Sequence, residues 1–195
     1  MTEDQLYEEL KYVNHCRNNR LKYAQMVIRE PELIPLVLNI LFRTDDKRSP
    51  RAAWMLEFVA RDNLELLIPH LDRITSEMNK VHLDSGVRPM AKICECLVEA
   101  YYSKNENVIK RELNSTHKEK IIESCFDWLI KDEKVAPKAY AMNSLYLLGT
   151  EYDWIHPDLL LILEQNFHKQ SSGFKARAKH IVKKIKALKQ TRDLH

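Results

Sequence analysis

The chain has 195 residues, 45% of them apolar and 30% charged, with a formal net charge of +3. That balance fits one ordinary domain with a sizeable core and excludes a disordered chain. No apolar run approaches the roughly 20 residues of a membrane span, the polar opening Met1-Thr2-Glu3-Asp4-Gln5 reads as neither a signal nor a transit peptide, and three glycines and seven prolines leave helix as the dominant structure.

In chain order, Thr2 and Gln5 make a capping-box pattern, and Leu6, Leu10 and Val13 mark one face of a first helix. A second helix is predicted from about Asn19 to Arg29, with Leu21, Ala24, Val27 and Ile28 inward. Glu30-Pro31 restarts the chain into a third, carrying Leu33, Val37, Ile40 and Leu41. After the polar turn Asp45-Asp46-Lys47-Arg48, Ser49 is expected to cap a helix with Pro50 in its first turn and Trp54, Phe58 and Val59 on its apolar face. Asp62-Asn63 ends it, and Leu67, Leu71, Ile74 and Met78 form its partner. Leu67-Ile68-Pro69 repeats Leu33-Ile34-Pro35 at a distance of 34, which matches those two second helices.

Ser85-Gly86 opens the next helix, with Met90, Ile93, Leu97 and Tyr101 inward. The polar stretch from Ser103 to Asn114 reads as a long loop or a short extra helix. Thr116 and Glu119 offer a second capping box ahead of Ile121, Ile122, Cys125 and Leu129. Pro137 starts a helix with Ala141, Leu145 and Leu148, and Gly149 is expected as a left-handed C-cap. His156-Pro157 begins another, with Leu160, Leu163 and Phe167. Ser171-Ser172-Gly173 starts the last, whose apolar stripe is Ala178, Ile181, Val182, Ile185 and Leu188. Trp54, Phe58, Leu71, Ile93, Leu97, Leu145 and Ile181 are the expected core, and no segment alternates as a strand does.

One pattern recurs. Ser49-Pro50-Arg51-Ala52-Ala53-Trp54 returns as Gly86-Val87-Arg88-Pro89-Met90-Ala91, as Ala136-Pro137-Lys138-Ala139-Tyr140-Ala141, and as Gly173-Phe174-Lys175-Ala176-Arg177-Ala178. The basic residues are 37, 50 and 37 positions apart, and self-similarity at that period is the signature of stacked helical repeats. The chain therefore reads as a single all-α domain, 1–195, of antiparallel helix pairs at about 18–43, 49–79, 85–131 and 136–169, closed by a final helix at 172–190.

From about Asn18 to Leu188, period and pairing resemble the HEAT and armadillo-like α-solenoids. The resemblance implies a right-handed α-α superhelix that presents an extended curved surface to a protein or peptide. The Trp54 helix and the Lys138-Ala139-Tyr140-Ala141 helix also resemble small bacterial HEAT-like proteins that carry the label adenylosuccinate lyase. That lyase family takes its catalytic serine from a Ser-Ser-x-Met-Pro-x-Lys-x-Asn loop. No such loop occurs here, so neither lyase activity nor a metal requirement is expected. HEAT-like alkylpurine DNA glycosylases are similar in architecture and set aromatic rings and a carboxylate around the damaged nucleotide. That likeness offers Asp127-Trp128 and Asp153-Trp154 as nucleic-acid contacts.

The charged residues carry the remaining signal. Arg51, Arg88, Lys138 and Lys175 each fall in the first turn of a helix, where the macrodipole disfavours a cation by ~0.3–1 kcal/mol. Two readings account for their recurrence. One is a ladder of ion pairs with Asp46, Asp84 and Asp132 or Glu133, which is the favoured reading. The other is an edge of helix N-termini and cations that captures anions. From Ser171 to His195 there are eight Lys or Arg against one acid, Asp193. Lys179, Lys183 and Lys186 lie around the apolar stripe of that last helix, which reads first as the cap of the array and otherwise as a contact for phosphates or an acidic partner. The cysteines Cys16, Cys94, Cys96 and Cys125 read as reduced thiols of a cytoplasmic protein, with Cys94 and Cys96 as buried structural thiols and not metal ligands. No Gly-rich phosphate loop, nucleophile elbow or HExxH is present. The expected function is a protein-binding scaffold with no cofactor, no membrane contact and no chemistry of its own. The alternative is nucleic-acid binding through the basic last helix, with base excision as its catalytic extreme.

Overall fold

The computed structural model describes residues 1–192; Asp193, the one acid counted in the basic tail, lies outside the described residues. Among them every regular element is helical. The α-helices are α1 (Glu3–Glu9), α2 (Arg17–Arg29), α3 (Ile34–Leu41), α4 (Ser49–Asp62), α5 (Leu71–Glu77), α6 (Asp84–Tyr101), α7 (Ile109–Glu112), α8 (Ser115–Ile130), α9 (Val135–Leu148), α10 (Ile155–Asn166) and α11 (Ser172–Arg192), with short 3-10 turns at several junctions. Both readings of the stretch from Ser103 to Asn114 hold in turn, since a loop leads into the short helix α7.

The helices fall into two rows. In the first, α2, α4, α6, α9 and α11 lie side by side, each in close contact with the next. The second holds α1, α3, α5, α8 and α10, in which α1 meets α3 and α5 meets α8. Arg73 of α5 donates to Asn39 of α3 at 2.7 Å. His117 of α8 donates from Nε2 to Asp72 of α5 at 2.6 Å. Lys118 of α8 donates to Glu151, beyond α9, at 2.6 Å. One continuous apolar core lies between the rows, from Leu6 through Met55, Ile93 and Leu145 to Ile185.

Local signals explain most boundaries. Thr2 and Gln5 cap α1 reciprocally, as the sequence predicts. Pro50 sits in the first turn of α4, where its missing N–H leaves no hydrogen bond unmade. Three expectations need correction. Ser49 does not cap α4; it is the first residue of that helix, and its buried hydroxyl donates back to the carbonyl of Leu41. The capping box of α8 is Asn114 with His117, not Thr116 with Glu119: Asn114 Oδ1 accepts from the His117 amide at 3.0 Å, and His117 Nδ1 accepts from the Asn114 amide at 3.3 Å. Asn114 stands ahead of the first turn, where its oxygen reaches an orphan amide, whereas Thr116 is already the second residue of the helix. Gly149 has a φ of −67°, so it is not a left-handed cap. It is required for space, because a Cβ there would overlap the ring of His156, which stacks on Tyr146 and donates to its carbonyl at 2.8 Å.

Phe58, Leu71, Ile93, Leu97, Leu145 and Ile181 are buried as expected. Trp54 is not fully buried. Its indole lies at the edge of the core, donates from Nε1 to the carbonyl of Ser85 at 2.7 Å, and is covered by the Arg20 guanidinium at 4.2 Å. Leu21, expected inward, is 39% exposed, because α2 is the first helix of its row and has a neighbour on one side only.

Candidate functional site

The four recurring cations meet different partners. Arg51 donates to the carbonyls of Leu10 and Lys11, in the 3-10 turn that follows α1. The Leu10 carbonyl also accepts from the Val13 amide, and both carbonyls lie toward the C-terminal end of the helical segment, where the dipole favours a cation. Asp46 instead accepts from Tyr7 and from the Arg48 amide. Arg88 reaches back to Glu57 on α4, and Asp84 pairs with Lys134 at 2.9 Å. Lys138 is 2% exposed and interacts electrostatically with Glu133, whose carboxyl is pushed up by burial and by Asp84 while Lys131 and Lys138 pull against it. The expected upstream acids of Arg51 and Arg88 are thus held by other partners. Lys175 is half-buried, with its ammonium 6.0 Å from the Phe167 ring centroid.

The tryptophan pairs also separate. Trp128 is 2% exposed and belongs to the core, so it offers no surface on which a base could stack. Asp127 is paired with Lys131 at 2.7 Å. Trp154 is 51% exposed and stacks on Phe126 at 5.7 Å between centroids, with exposed Asp153 beside it in the turn before α10. Trp128 and Trp154 therefore do not make one site. Of the thiols, Cys94 and Cys125 are buried, Cys96 is half-buried and Cys16 is exposed.

Lys179, Lys183 and Lys186 are brought together. Helix α11 seats Phe174, Ala178, Ile181 and Ile185 in the core, mainly against α9, and touches α10 only sparsely. The two helices leave between them a groove of about 690 Å³. Leu163 and Phe167 form one wall, Ala178 and Val182 the other, and Lys179, Lys183 and Lys186 line the rim of α11. Glu164 and His168 face them from the α10 side. The lysines stand at i, i+4 and i+7, which places them along one side of the helix over about 10 Å. Lys179 lies 5.7 Å from the Phe167 ring centroid. The lysine stripe is legible in the sequence. The opposite wall is not, since Leu163 and Phe167 carry the same periodic signal as residues that face the core.

Comparison of the chain with protein-family models, with curated proteins and with solved structures gives no match in any of the three. No helix among the described residues is long and apolar enough to cross a membrane, and no group of three His, Cys, Asp or Glu among them could hold a metal ion.

Proposed function

We propose that this protein is an interaction module with no chemistry of its own, built as a HEAT-like right-handed superhelix of antiparallel helix pairs. Its binding site in this reading is the groove between α10 and α11. The observation that carries it is the groove itself, a concave surface with apolar walls and a lysine rim. A cap that served only to finish the solenoid would close its apolar seam and present a polar face. Here the seam stays open, and the three rim lysines have no ion-pair partner among the described residues.

The test is a panel of amphipathic helical peptides of varied flank charge, titrated against the full chain and against Val182→Glu. At least one peptide is expected to bind, and Val182→Glu to abolish that binding while leaving the melting curve in place. Nucleic-acid binding through the same lysines is the second reading. It predicts that affinity for DNA or RNA falls steeply with salt, by counterion release, and disappears when Lys179, Lys183 and Lys186 are changed together to Gln. Peptide binding that is insensitive to Val182→Glu, together with tight salt-sensitive nucleic-acid binding lost in the triple variant, would reverse the ranking.

A further inference from the structure

We infer that the occupant of the α10–α11 groove is an amphipathic helix of a partner protein, acidic along the flank that meets α11. The inference rests on the groove being a binding site and adds what binds there. The architecture supplies the first argument. Helix α4 packs against α3 on one side and against the 3-10 turn leading to α5 on the other, and α9 packs against both α8 and α10. Helix α11 packs closely on α9 and meets α10 only sparsely. The groove is lined by α10, the 3-10 turn after it and α11, so a helix laid along it would touch both helices. Leu161 supports this. It stands three residues before groove-lining Glu164 on α10, and it is 54% exposed, so apolar surface continues along α10 beyond the cavity.

Charge selects the occupant. Lys179, Lys183 and Lys186 lie on one rim with no ion-pair partner among the described residues, whereas Glu164 stands alone on the other. A helix laid in the groove places acids at i, i+4 and i+7 opposite those ammoniums, and its apolar i, i+3 and i+4 positions on Val182, Ala187 and Phe167, the groove residues that keep exposed apolar surface. An occupant with a basic flank would bring like charges together at three points along the rim. Repulsion of that kind selects partners as effectively as attraction does.

The experiment uses three labelled peptides of about 18 residues, long enough to span the groove at 1.5 Å per residue. The first has a Leu stripe and a Glu flank. The second has Lys in place of Glu. The third has the composition of the first with its stripe scrambled. Fluorescence anisotropy with the full chain should show the Glu-flank peptide binding, the Lys-flank peptide about tenfold weaker or more, as three rim charges imply, and the scrambled peptide not binding. The variant Lys179→Glu/Lys183→Glu/Lys186→Glu should prefer the Lys-flank peptide. Val182→Glu should bind none, and Ala187→Glu, at an exposed groove position, repeats that result should the first variant fold poorly. If Glu-flank and Lys-flank peptides bind equally and both are lost in Val182→Glu, the groove stands as a site and the acidic partner is overturned. If the scrambled peptide binds as well as the ordered one and Val182→Glu changes nothing, simple attraction between charges explains the data and both readings fall. Absence of binding by every peptide overturns both as well.

Discussion

Arg88 on α6 forks its guanidinium onto Glu57 of α4, at 2.5 and 3.3 Å, and Glu57 has no exposed surface. Arg61 adds a longer contact at 3.4 Å from its own helix. Removing one partner of such a pair leaves a desolvated charge, whereas replacing both with apolar residues need not. Arg88→Met is therefore expected to destabilise by ~3 kcal/mol, and Arg88→Met with Glu57→Met by less than the single change. Urea unfolding of the wild type, both single variants and the double variant measures this. Equal losses in single and double variants would show that Glu57 does not depend on Arg88.

Gly149 is constrained by the His156 ring and not by its backbone angles. Gly149→Ala should cost ~1–3 kcal/mol through overpacking. Adding His156→Ala should recover some of that loss, since the ring is what the methyl meets. Thermal melts of the two variants decide it.

Trp54 contributes as a half-buried indole with one hydrogen bond. Trp54→Phe keeps an apolar ring under Arg20 and gives up the bond to the Ser85 carbonyl, a loss of ~1 kcal/mol. Trp54→Ala should lose ~2–3 kcal/mol, below the range for a fully buried indole. Denaturant midpoints of both variants test the order.

Glu151 sits where α8 meets the end of α9. Burial works to raise its carboxyl, but hydrogen bonds from Lys118 and Tyr102 outweigh burial and hold it below the ordinary value of 4.5. A carboxyl lowered on folding contributes stability that is fully present above its unfolded pKa and is lost as pH falls through the folded one. Wild type should therefore exceed Glu151→Gln in stability at neutral pH. The gap should close as pH falls from 4.5 through the lowered value. A gap independent of pH in chemical denaturation would exclude this pair as a source of acid sensitivity.

The thiols should differ in reactivity. Burial pushes Cys94 up, Cys96 up to about 11 and Cys125 up to about 12, so little thiolate forms at neutral pH. Titration with an aromatic disulfide reagent should show exposed Cys16 reacting at once, Cys96 slowly, and Cys94 and Cys125 only on unfolding. Early reaction of Cys125 would show that the core opens around it.

The repeated six residues foretell where helices start better than what their basic side chains do. Arg51, Arg88 and Lys138 occupy equivalent places in sequence, yet one holds carbonyls, one a buried carboxylate from the preceding first-row helix, and one lies buried near Glu133. A long cation takes whichever oxygen the neighbouring helix presents. The acids found by counting upstream, Asp46 and Asp84, have nearer partners of their own. The two indoles next to aspartates are a similar case. Trp128 and Trp154 look alike in sequence, but one lies on the inward face of α8 and the other in an exposed turn.

What the sequence determines by itself is the set of helices and their inward faces. Those follow from short-range rules: Pro in a first turn, an apolar residue every third or fourth position, Thr2 with Gln5 at a helix start. The lysine stripe 179, 183 and 186 belongs to the same local order. Only the tertiary structure decides that α11 leans on α9 and leaves α10, so that Leu163 and Phe167 wall a groove with the lysines above it. Periodicity records that a face is apolar and is silent on whether a neighbouring helix covers it. The angle between two helices is set by packing across the whole row, which no single segment encodes.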